Sequence, residues 1–244
     1  MRRLLVCDLD GTLLGERASL NRILELLRLP GAPVLAFATG RQQPSADGVL
    51  REWGVVSGAY LLAGVGTEAY ARELEGAWSK LAGWPPPRER WDVALVRRAL
   101  EGVPLLVPQR LSSQHKVSYV APRETLDTVR ARLREAGLAA TIVHSHGDLL
   151  DVLPDGVDKG HAVAWLAARL GVPLTQTMTC GDTENDRAML ALPGPSVIVG
   201  GAEPELLSRL PELPRTYAAR EPHAGGILEG LRHAGWLTGE AWSP

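Results

Sequence analysis

The stretch VCDLDGTLL, residues 6–14, places two aspartates directly after an apolar run. That run, Leu4–Cys7, predicts a strand that is buried on both faces. Along an extended chain, residues i and i+2 project to the same side, so we expect the carboxylates of Asp8 and Asp10 to face one place. Carboxylates held close repel each other unless one gains a proton or a cation joins them, and Mg²⁺ favours such oxygen ligands. The alternative interpretation is a polar strand end with a helix cap.

Short apolar runs that alternate with helical patterns indicate the fold class. The runs that predict buried strands are RLLVCD (3–8), APVLAFA (32–38), AYLLAGV (59–65), QTMTCG (176–181) and PSVIVG (195–200). The amphipathic segment DKGHAVAWLAARLGVP (158–173) predicts a helix, because its apolar residues recur at helical spacing and Asp158 can cap its start. This alternation predicts an α/β fold, a Rossmann-like doubly wound parallel sheet with helices on both faces.

The middle of the chain follows a different order. The segment GWPPPRERW (83–91) contains three consecutive prolines and predicts a linker or crossing point. After it, one helix pattern and two strand patterns occur twice in succession. We therefore predict an inserted α/β cap domain over 83–157, an antiparallel sheet with two helices, and a catalytic core formed by 1–82 and 158–244.

Composition and charge exclude several classes of protein. The chain has 244 residues and a formal net charge of −2, so no general attraction to nucleic acid or anionic lipid is expected. Its 2 cysteines do not suggest a disulfide framework. It shows no signal peptide and no apolar run of about 18 residues. These features predict a cytoplasmic protein that binds no membrane; they leave the oligomeric state open, and a monomer is compatible with them.

Polar motifs follow three other predicted elements. Thr39-Gly40-Arg41 ends the second strand, where a hydroxyl and an uncovered backbone N–H suit a phosphate oxygen. Lys159 lies in the first turn of a predicted helix, where a cation opposes the helix dipole but, with the free N–H groups, forms an anion site. The segment CGDTENDRAML brings three more polar side chains to a strand-to-helix turn: Asp182, Asn185 and Asp186. Each motif alone is also compatible with an ordinary turn or a helix cap.

Taken together, the four motifs resemble the signature of the haloacid dehalogenase superfamily of phosphohydrolases. That signature is D-x-D-G-T, a Ser or Thr after the second strand, a Lys, and G-D-x-x-N-D, and all four parts occur here in order from Asp8 to Asp186. One branch of the superfamily carries a large α/β cap between the second and third motifs, as predicted here. Within it, the chain resembles sucrose-phosphate phosphatases and their bacterial relatives through GVGTEAY (64–70), HKVSYV (115–120), DLLDVLPDGVDKGHAVAWL (148–166) and AGGILEGL (224–231).

One motif differs from that group. Thr183-Glu184 stands where the resemblance leads us to expect small residues such as Ser-Gly. Glu184 is therefore expected to narrow or recharge the mouth of the site.

The resemblance implies Mg²⁺-dependent hydrolysis of a sugar phosphate through an aspartyl-phosphate. Asp8 would attack phosphorus, and Asp10 would protonate the leaving oxygen and then deprotonate the attacking water. The implied Mg²⁺ ligands are the Asp8 carboxylate, the Asp10 backbone carbonyl and Asp182, with Asp186 in the outer shell. The implied phosphate-binding or orienting groups are Thr39, the Gly40 N–H, Lys159 and Asn185.

The expected partner is a small phosphorylated sugar, over which the cap closes to exclude water. The predicted sugar contacts are Gln114, His115 and Lys116 on a cap strand, and Glu68 in the loop after the third core strand. The alternative for each is a solvated position without a role in binding.

Three other functions remain compatible with the same motifs. The first is a phosphatase for another sugar or glyceryl phosphate, such as mannosyl-3-phosphoglycerate. The second is a phosphomutase, which uses the same aspartyl-phosphate but releases no free phosphate. The third is a catalytically silent regulatory partner of a glycosyltransferase, which the intact Asp8 and Asp10 disfavour, because a silent domain has no need for two crowded carboxylates.

Overall fold

The structure is a computed structural model that describes residues 2–84, 91–109, 114–239 and 241–243. The strands are, in chain order, β1 (Leu4–Cys7), β2 (Val34–Ala38), β3 (Tyr60–Ala63), β4 (Glu68–Arg72), β5 (Trp78–Lys80), β6 (Val107–Pro108), β7 (Val117–Val120), β8 (Ala140–Ser145), β9 (Leu149–Pro154), β10 (Thr177–Gly181), β11 (Ser196–Gly200), β12 (Thr216–Pro222), β13 (Leu237–Thr238) and β14 (Ala241–Trp242). The α-helices are α1 (Arg17–Leu26), α2 (Gln43–Glu52), α3 (Val93–Ala99), α4 (Leu126–Glu135), α5 (Lys159–Arg169), α6 (Arg187–Leu190), α7 (Pro204–Leu207) and α8 (His223–His233). Most of the predicted proline-rich linker, residues 85–90, lies outside the described residues.

The larger sheet has eight strands in the order β12-β11-β10-β1-β2-β3-β4-β5. Neighbours from β12 to β3 pair in parallel, and β4 and β5 add an antiparallel edge. The five strands predicted from apolar runs are confirmed as β1, β2, β3, β10 and β11. Because β1 lies between β2 and β10, the carboxyl ends of these three strands meet at the centre of one sheet edge.

Helices cover both faces of this sheet, as predicted. On β1, Leu5 and Cys7 pack with α1, α2 and α8 in one hydrophobic core. Leu4 and Val6 point the other way and pack with α5 and α6 in a second core. Successive side chains of a strand alternate between faces, so a strand covered on both sides reads as a continuous apolar run.

A hairpin follows β3 where the sequence analysis predicts a loop. β4 runs antiparallel to β3, and Glu68, its first residue, lies opposite Ala63. The chain reverses through Gly64, Val65 and Gly66, whose φ angles of 60°, 61° and 84° are all left-handed. The prediction that Glu68 lies in a loop is therefore wrong, because these residues form a tight turn and return the chain to the sheet.

A separate antiparallel sheet has the order β6-β7-β9-β8. On one face, Val117, Tyr119, Leu150 and Val152 pack against α3 and α4. The predicted order of helix, strand, strand, repeated once, is confirmed as α3-β6-β7 and α4-β8-β9. The domain boundaries at residues 83 and 157 stay a prediction.

The cap strand predicted from residue 114 begins later. Its ladder with β9 starts at the pair Val117 and Val152, so Gln114 and His115 lie in a bend, and Lys116 follows them directly before β7. Within the described parts of the chain, no helix is long and apolar enough to span a membrane.

Candidate active site

The two aspartates of the first motif lie beyond β1, in a tight turn. β1 ends at Cys7, and the backbone N–H of Asp8 donates to the Cys180 carbonyl at 3.0 Å. The chain then turns, with Gly11 at a φ of 80°. The carboxylates of Asp8 and Asp10 are therefore placed by this turn and not by alternation along a strand. Both still face one cavity, but each has its own partner.

Asp8 is part of a buried ion cluster. Lys159 donates from Nζ to Asp8 Oδ1 at 2.7 Å and to Asp186 Oδ1 at 2.6 Å. Lys159 and Asp186 are fully buried, and Asp8 is 6% exposed. Asp158 caps α5 by accepting from the His161 N–H, which places Lys159 in the first turn as predicted. Burying these charges is tolerated only because each has an opposite charge within hydrogen-bond distance.

Asp182 and Asp186 are fixed by the turn after β10. Asp186 Oδ2 accepts from the backbone N–H groups of Asp182 and Thr183 at 2.9 and 3.0 Å. Asp182 Oδ1 accepts from Thr12 Oγ1 at 2.6 Å, which ties this turn to the first motif. A Cβ at Gly11 would lie 2.2 Å from Asp182 Oδ2, so only glycine leaves room for that carboxylate.

The carboxylates of Asp8, Asp182 and Asp186 meet the geometric requirement for a metal site. Each offers an oxygen, and these oxygens lie within 4.8 Å of one another. With Lys159, three ionised carboxylates leave an excess of two negative charges, which a divalent cation neutralises. The donor set, carboxylate oxygens at a partly buried edge, suits Mg²⁺. The Asp10 carboxylate does not belong to this group.

The pKa values of the cluster reflect this excess of negative charge. Burial raises the pKa of Asp8 well above its ordinary value; Lys159 opposes the shift, and Asp186 and Asp182 add to it. Burial and then Asp186 raise the pKa of Asp182 to about 7, against the hydrogen bond from Thr12. For Lys159, burial alone would lower the pKa, but Asp186 and Asp8 outweigh burial and raise it. Without a metal, Asp8 and Asp182 therefore hold protons more tightly than free carboxylates do.

Asp10 is held by a partner that the sequence analysis did not assign. Arg41 Nε and Nη2 each donate to one Asp10 carboxylate oxygen at 2.7 Å, and Nη1 donates to Ser45 at 3.0 Å. A planar guanidinium that grips both oxygens fixes the orientation of the carboxylate. The signal was present, because Arg41 directly follows the Thr39-Gly40 motif.

A cavity of about 440 Å³ lies between the sheet edge and the cap strands. From the core, it is lined by Asp8, Asp10, Thr39, Gly40, Arg41, Gln42, Pro44, Ser45 and Asn185. From the cap, it is lined by Gln109, Lys116, Ser145, His146, Leu149 and Asp151. The predicted residues Asp8, Asp10, Thr39, Gly40, Asn185 and Lys116 thus meet in one place, and Lys159 reaches it through Asp8.

The predicted phosphate-binding groups line this cavity beside Asp8. Thr39 is 1% exposed, and its Oγ1 accepts from the Arg41 N–H at 3.1 Å. Asn185 Nδ2 lies 3.4 Å from Ser145 Oγ, and its buried Oδ1 has no hydrogen-bond partner within the described residues. Such an unpaired oxygen is costly to bury unless a ligand or water donates to it.

Lys116 is a cap residue that contacts the core. It is 4% exposed, and its Nζ lies 3.1 Å from the Asp151 carboxylate and 3.3 Å from the Gly40 carbonyl. Ser118, the β-ladder partner of Asp151, donates to the same carboxylate at 2.5 Å. Asp151 is a charged residue within the otherwise apolar strand β9, and this could have marked it in the sequence as a candidate site residue.

The other predicted sugar contacts are not in the wall of this cavity as described. Glu68 pairs with Lys80 at 3.1 Å on the antiparallel edge of the sheet. Gln114 is exposed and His115 is half-buried, both before the start of β7. Of the three residues before β7, Lys116 lines the cavity.

Glu184 also differs from expectation. It lines a separate cavity of about 360 Å³, where its carboxylate lies 3.4 Å from Arg187 and 3.9 Å from Arg209. The Glu184 side chain pairs with these arginines and does not line the cavity beside Asp8, although its neighbour Asn185 lines both cavities.

Comparisons with known proteins agree with this arrangement. The chain is 36% identical to a mannosylfructose-phosphate phosphatase of Agrobacterium fabrum, over 96% of this chain and 97% of that one. It is 30% identical to sucrose-phosphatase 1 of Nicotiana tabacum, but the chain covers only 59% of that longer protein. The structure of the sucrose-phosphatase from Synechocystis sp. PCC6803, in complex with sucrose and phosphate, is 32% identical; the match covers 98% of this chain and 100% of that one with a TM-score of 0.89.

More distant structures share the fold. Two haloacid dehalogenase superfamily phosphatases, 19% and 17% identical, match with TM-scores of 0.71 and 0.69. The model of one family, described as sucrose-6F-phosphate phosphohydrolase, matches residues 1–235. The fold, the four motifs and this match agree, and the chain belongs to the sucrose-6F-phosphate phosphohydrolase family.

Proposed function

We propose that this protein is a Mg²⁺-dependent phosphatase that hydrolyses a disaccharide phosphate resembling sucrose phosphate. The observation that carries the proposal is the cluster of Asp8, Lys159, Asp182 and Asp186, whose member Asp8 lines a cavity with a polar opposite wall. The family match supports hydrolysis of a phosphate monoester, and the name of the Agrobacterium relative supports a disaccharide substrate. A cytoplasmic location and a monomeric state remain predictions.

Asp8 is the proposed nucleophile. Its carboxylate oxygen attacks phosphorus while the bond to the sugar oxygen breaks, which forms an aspartyl-phosphate. Asp10 gives a proton to the departing sugar oxygen and then takes a proton from the water that hydrolyses the intermediate. Arg41 contacts both Asp10 oxygens in this structure, so one oxygen must leave the guanidinium to carry the proton. Phosphate leaves and Asp8 is regenerated.

Lys159 and its neighbours neutralise the phosphate. The Lys159 ammonium already contacts Asp8, so it lies near any phosphoryl group that approaches this carboxylate. Thr39, the Gly40 N–H and Asn185 line the same cavity and donate to the remaining oxygens. Donors that are in place before the reaction stabilise the charge of the transition state most effectively.

The proposed metal ligands are the Asp8 and Asp182 carboxylates and the Asp10 carbonyl. Asp186 supports them by fixing the Asp182 backbone and by binding Lys159. When bound, Mg²⁺ supplies the positive charge that lets an anionic nucleophile approach an anionic phosphate. Thr12 orients Asp182 for this role.

The cap wall is the proposed sugar site. The polar side chains of this wall can donate to and accept from the hydroxyl groups of a sugar. They are Lys116, Asp151, Ser145 and Gln109. Lys116 and Asp151 balance each other in charge, so this wall favours a neutral polar group over a second anion.

Release of phosphate from a panel of phosphomonoesters tests the function. The panel contains sucrose 6-phosphate, mannosylfructose phosphate, mannosyl-3-phosphoglycerate, glucose 6-phosphate and p-nitrophenyl phosphate, each with Mg²⁺ and with EDTA. We expect Mg²⁺-dependent turnover with the highest kcat/KM on a disaccharide phosphate. A preference for mannosyl-3-phosphoglycerate would change the assigned substrate and leave the chemistry intact.

The Asp8→Asn variant tests the chemistry. We expect loss of at least about 10⁴-fold in kcat, since the covalent route is removed. Unchanged phosphate release from Asp8→Asn would refute the mechanism. Interconversion of two isomers of a sugar monophosphate, dependent on a bisphosphate activator and without free phosphate, would identify a phosphomutase. Inactivity on the whole panel would favour the silent regulatory partner.

A further inference from the structure

His223 connects the last long helix to the first catalytic motif. Its Nδ1 lies 2.8 Å from the Gly11 carbonyl oxygen, although 212 residues separate the two in sequence. A carbonyl only accepts, so Nδ1 carries the proton and His223 donates. His223 is the first residue of α8, and the contact is partly buried.

The backbone of His223 is unusual. Its φ of 53° lies in the left-handed region, which costs free energy for a residue with a side chain, although histidine enters this region more often than most. The imidazole also occupies the space beside Gly15, where a Cβ would lie 2.4 Å from Nε2. The position of the His223 imidazole therefore requires both a left-handed backbone at His223 and the absence of a side chain at Gly15.

The Gly11 carbonyl has no local alternative among the described hydrogen bonds. In the same turn, the Asp8 carbonyl accepts from the Leu13 N–H and the Leu9 carbonyl accepts from the Leu14 N–H. The Gly11 carbonyl instead accepts from His223. The imidazole thus fixes the peptide between Gly11 and Thr12.

That peptide controls a proposed metal ligand. Thr12 follows it directly and donates to Asp182 Oδ1 at 2.6 Å. The other oxygen of Asp182 occupies the space beside Gly11, where a Cβ would lie 2.2 Å from it, so a rotation of this peptide affects both oxygens. The path from His223 to Asp182 therefore passes through one peptide and one hydroxyl.

We propose that His223 is a positioning residue, whose hydrogen bond to the Gly11 carbonyl holds the Thr12–Asp182 contact in the geometry that binds the divalent cation. This inference rests on the proposed function for its metal. His223 touches neither the substrate cavity wall as described nor the acidic cluster, so its effect passes through the Gly11 turn.

Two substitutions separate the hydrogen bond from the backbone conformation. His223→Gly keeps the left-handed φ and removes the donor. His223→Asn also tolerates this φ. The Nδ2 of asparagine is bonded to Cγ, as Nδ1 is in histidine, and it carries hydrogen, so the donor is retained. His233→Gly, at the other end of α8, is the matched control, because His233 is exposed and stacks on Tyr217.

The principal measurement is Mg²⁺ binding to metal-free protein by isothermal titration calorimetry. We expect His223→Gly to weaken Mg²⁺ binding by about 10-fold, the usual effect of losing a group that orients a metal ligand. His223→Asn should bind within about twofold of wild type, and so should His233→Gly. In turnover, the Mg²⁺ concentration for half-maximal rate should rise in His223→Gly while KM for the sugar phosphate stays unchanged.

The outcomes separate this inference from the proposed function. Equal Mg²⁺ affinity in wild type and His223→Gly overturns the inference. The inference is also overturned if His223→Gly and His223→Asn lose Mg²⁺ affinity to the same extent while their thermal stability is the same. Loss of Mg²⁺ affinity in His223→Gly with rescue in His223→Asn supports it, even where wild type releases no phosphate from the panel. In that case the metal site stands and the phosphatase assignment falls.

Discussion

Two buried lysines lie on opposite sides of the same cavity, Lys116 in its wall and Lys159 behind Asp8, and they differ in what surrounds them. Lys159, from the core, contacts two carboxylates at 2.7 and 2.6 Å and is fully buried. Lys116, from the cap, is 4% exposed and contacts one carboxylate at 3.1 Å and one carbonyl at 3.3 Å. The residue type and the burial are nearly the same, but the charge balance is not.

The difference separates chemistry from recognition. Around Lys159 the carboxylates outnumber the cation, so this wall retains negative charge that attracts a divalent metal and, through it, a phosphate. Around Lys116, Asp151 cancels the charge, and Ser118 satisfies the carboxylate further. A balanced polar wall suits a sugar, whose hydroxyl groups donate and accept but carry no charge.

Loss of the core lysine should have the largest effect. We expect Lys159→Met to lower kcat by about 10² to 10³-fold, because a preorganised cation next to the reacting phosphoryl group is removed. The metal-free variant should also unfold at lower temperature, since Asp8 and Asp186 stay buried without their partner. Steady-state phosphate release and thermal melts with EDTA measure the two effects.

Lys80→Met provides the matched control for this change. Lys80 pairs with Glu68 at 3.1 Å, but its side chain is 47% exposed and lies at the sheet edge. Its substitution should leave kcat and the melting temperature nearly unchanged. If Lys159→Met retains the kcat of wild type, the core wall does not act on the phosphate as proposed.

Substitution of Arg41 should have the next largest effect. We expect Arg41→Lys to lower kcat by about 10-fold, because an ammonium cannot grip both oxygens of Asp10 as the guanidinium does. Arg51→Lys is the control, since Arg51 also pairs through Nε with an aspartate, Asp47, but on the exposed surface of α2. Equal kcat in both variants would show that the grip on Asp10 does not matter for turnover.

The core wall could be predicted from the sequence because its parts are local and converge by topology. Asp8, Thr39 and Asp182 each follow a parallel strand, and parallel strands end at one sheet edge. Lys159 follows a recognisable helix cap. The prediction from strand alternation differs from the structure because the chain turns immediately after Asp8. Asp8 therefore pairs with Lys159, and Asp10 pairs with Arg41.

The cap wall could not be predicted in the same way. Ser145, His146 and Asp151 come from the β8–β9 hairpin, and their approach to the core depends on how two sheets pack. Local sequence carries no signal for that packing, so it could not indicate that Lys116 lines the cavity while its neighbours Gln114 and His115 are not among the lining residues. The His223–Gly11 contact is missed for the same reason, since its two residues lie far apart in sequence.

Loss of the cap lysine should act on KM. We expect Lys116→Met to raise KM for the disaccharide phosphate by about 10-fold and to change kcat by less than about threefold, because uniform binding is lost. KM for p-nitrophenyl phosphate, which has no sugar, should not change. The double variant Lys116→Met with Asp151→Asn removes the unpaired carboxylate, so it should regain thermal stability without regaining KM.

The smallest effect concerns the pH dependence of stability without metal. Burial and Asp186 raise the pKa of Asp182 from 3.8 to about 7 in the folded protein. Between these values the folded state keeps a proton that the unfolded state has released, so the free energy of unfolding falls as pH rises. The raised pKa of Asp8 acts in the same direction. We expect the melting temperature in EDTA to fall by a few degrees from pH 5 to pH 7.

The Asp182→Asn variant isolates this contribution from other titrating groups. His115 acts in the opposite direction, because burial lowers its pKa and stability then rises as pH passes through its titration. Asp182→Asn retains His115, so its melting temperature should decline less, or rise, over the same pH range. Mg²⁺ should stabilise the wild type more at pH 8 than at pH 5, since only ionised carboxylates bind it. If the melting temperatures of wild type and Asp182→Asn change in parallel with pH in EDTA, Asp182 is already ionised without metal. The excess negative charge that distinguishes the core wall from the cap wall would then be balanced by other groups.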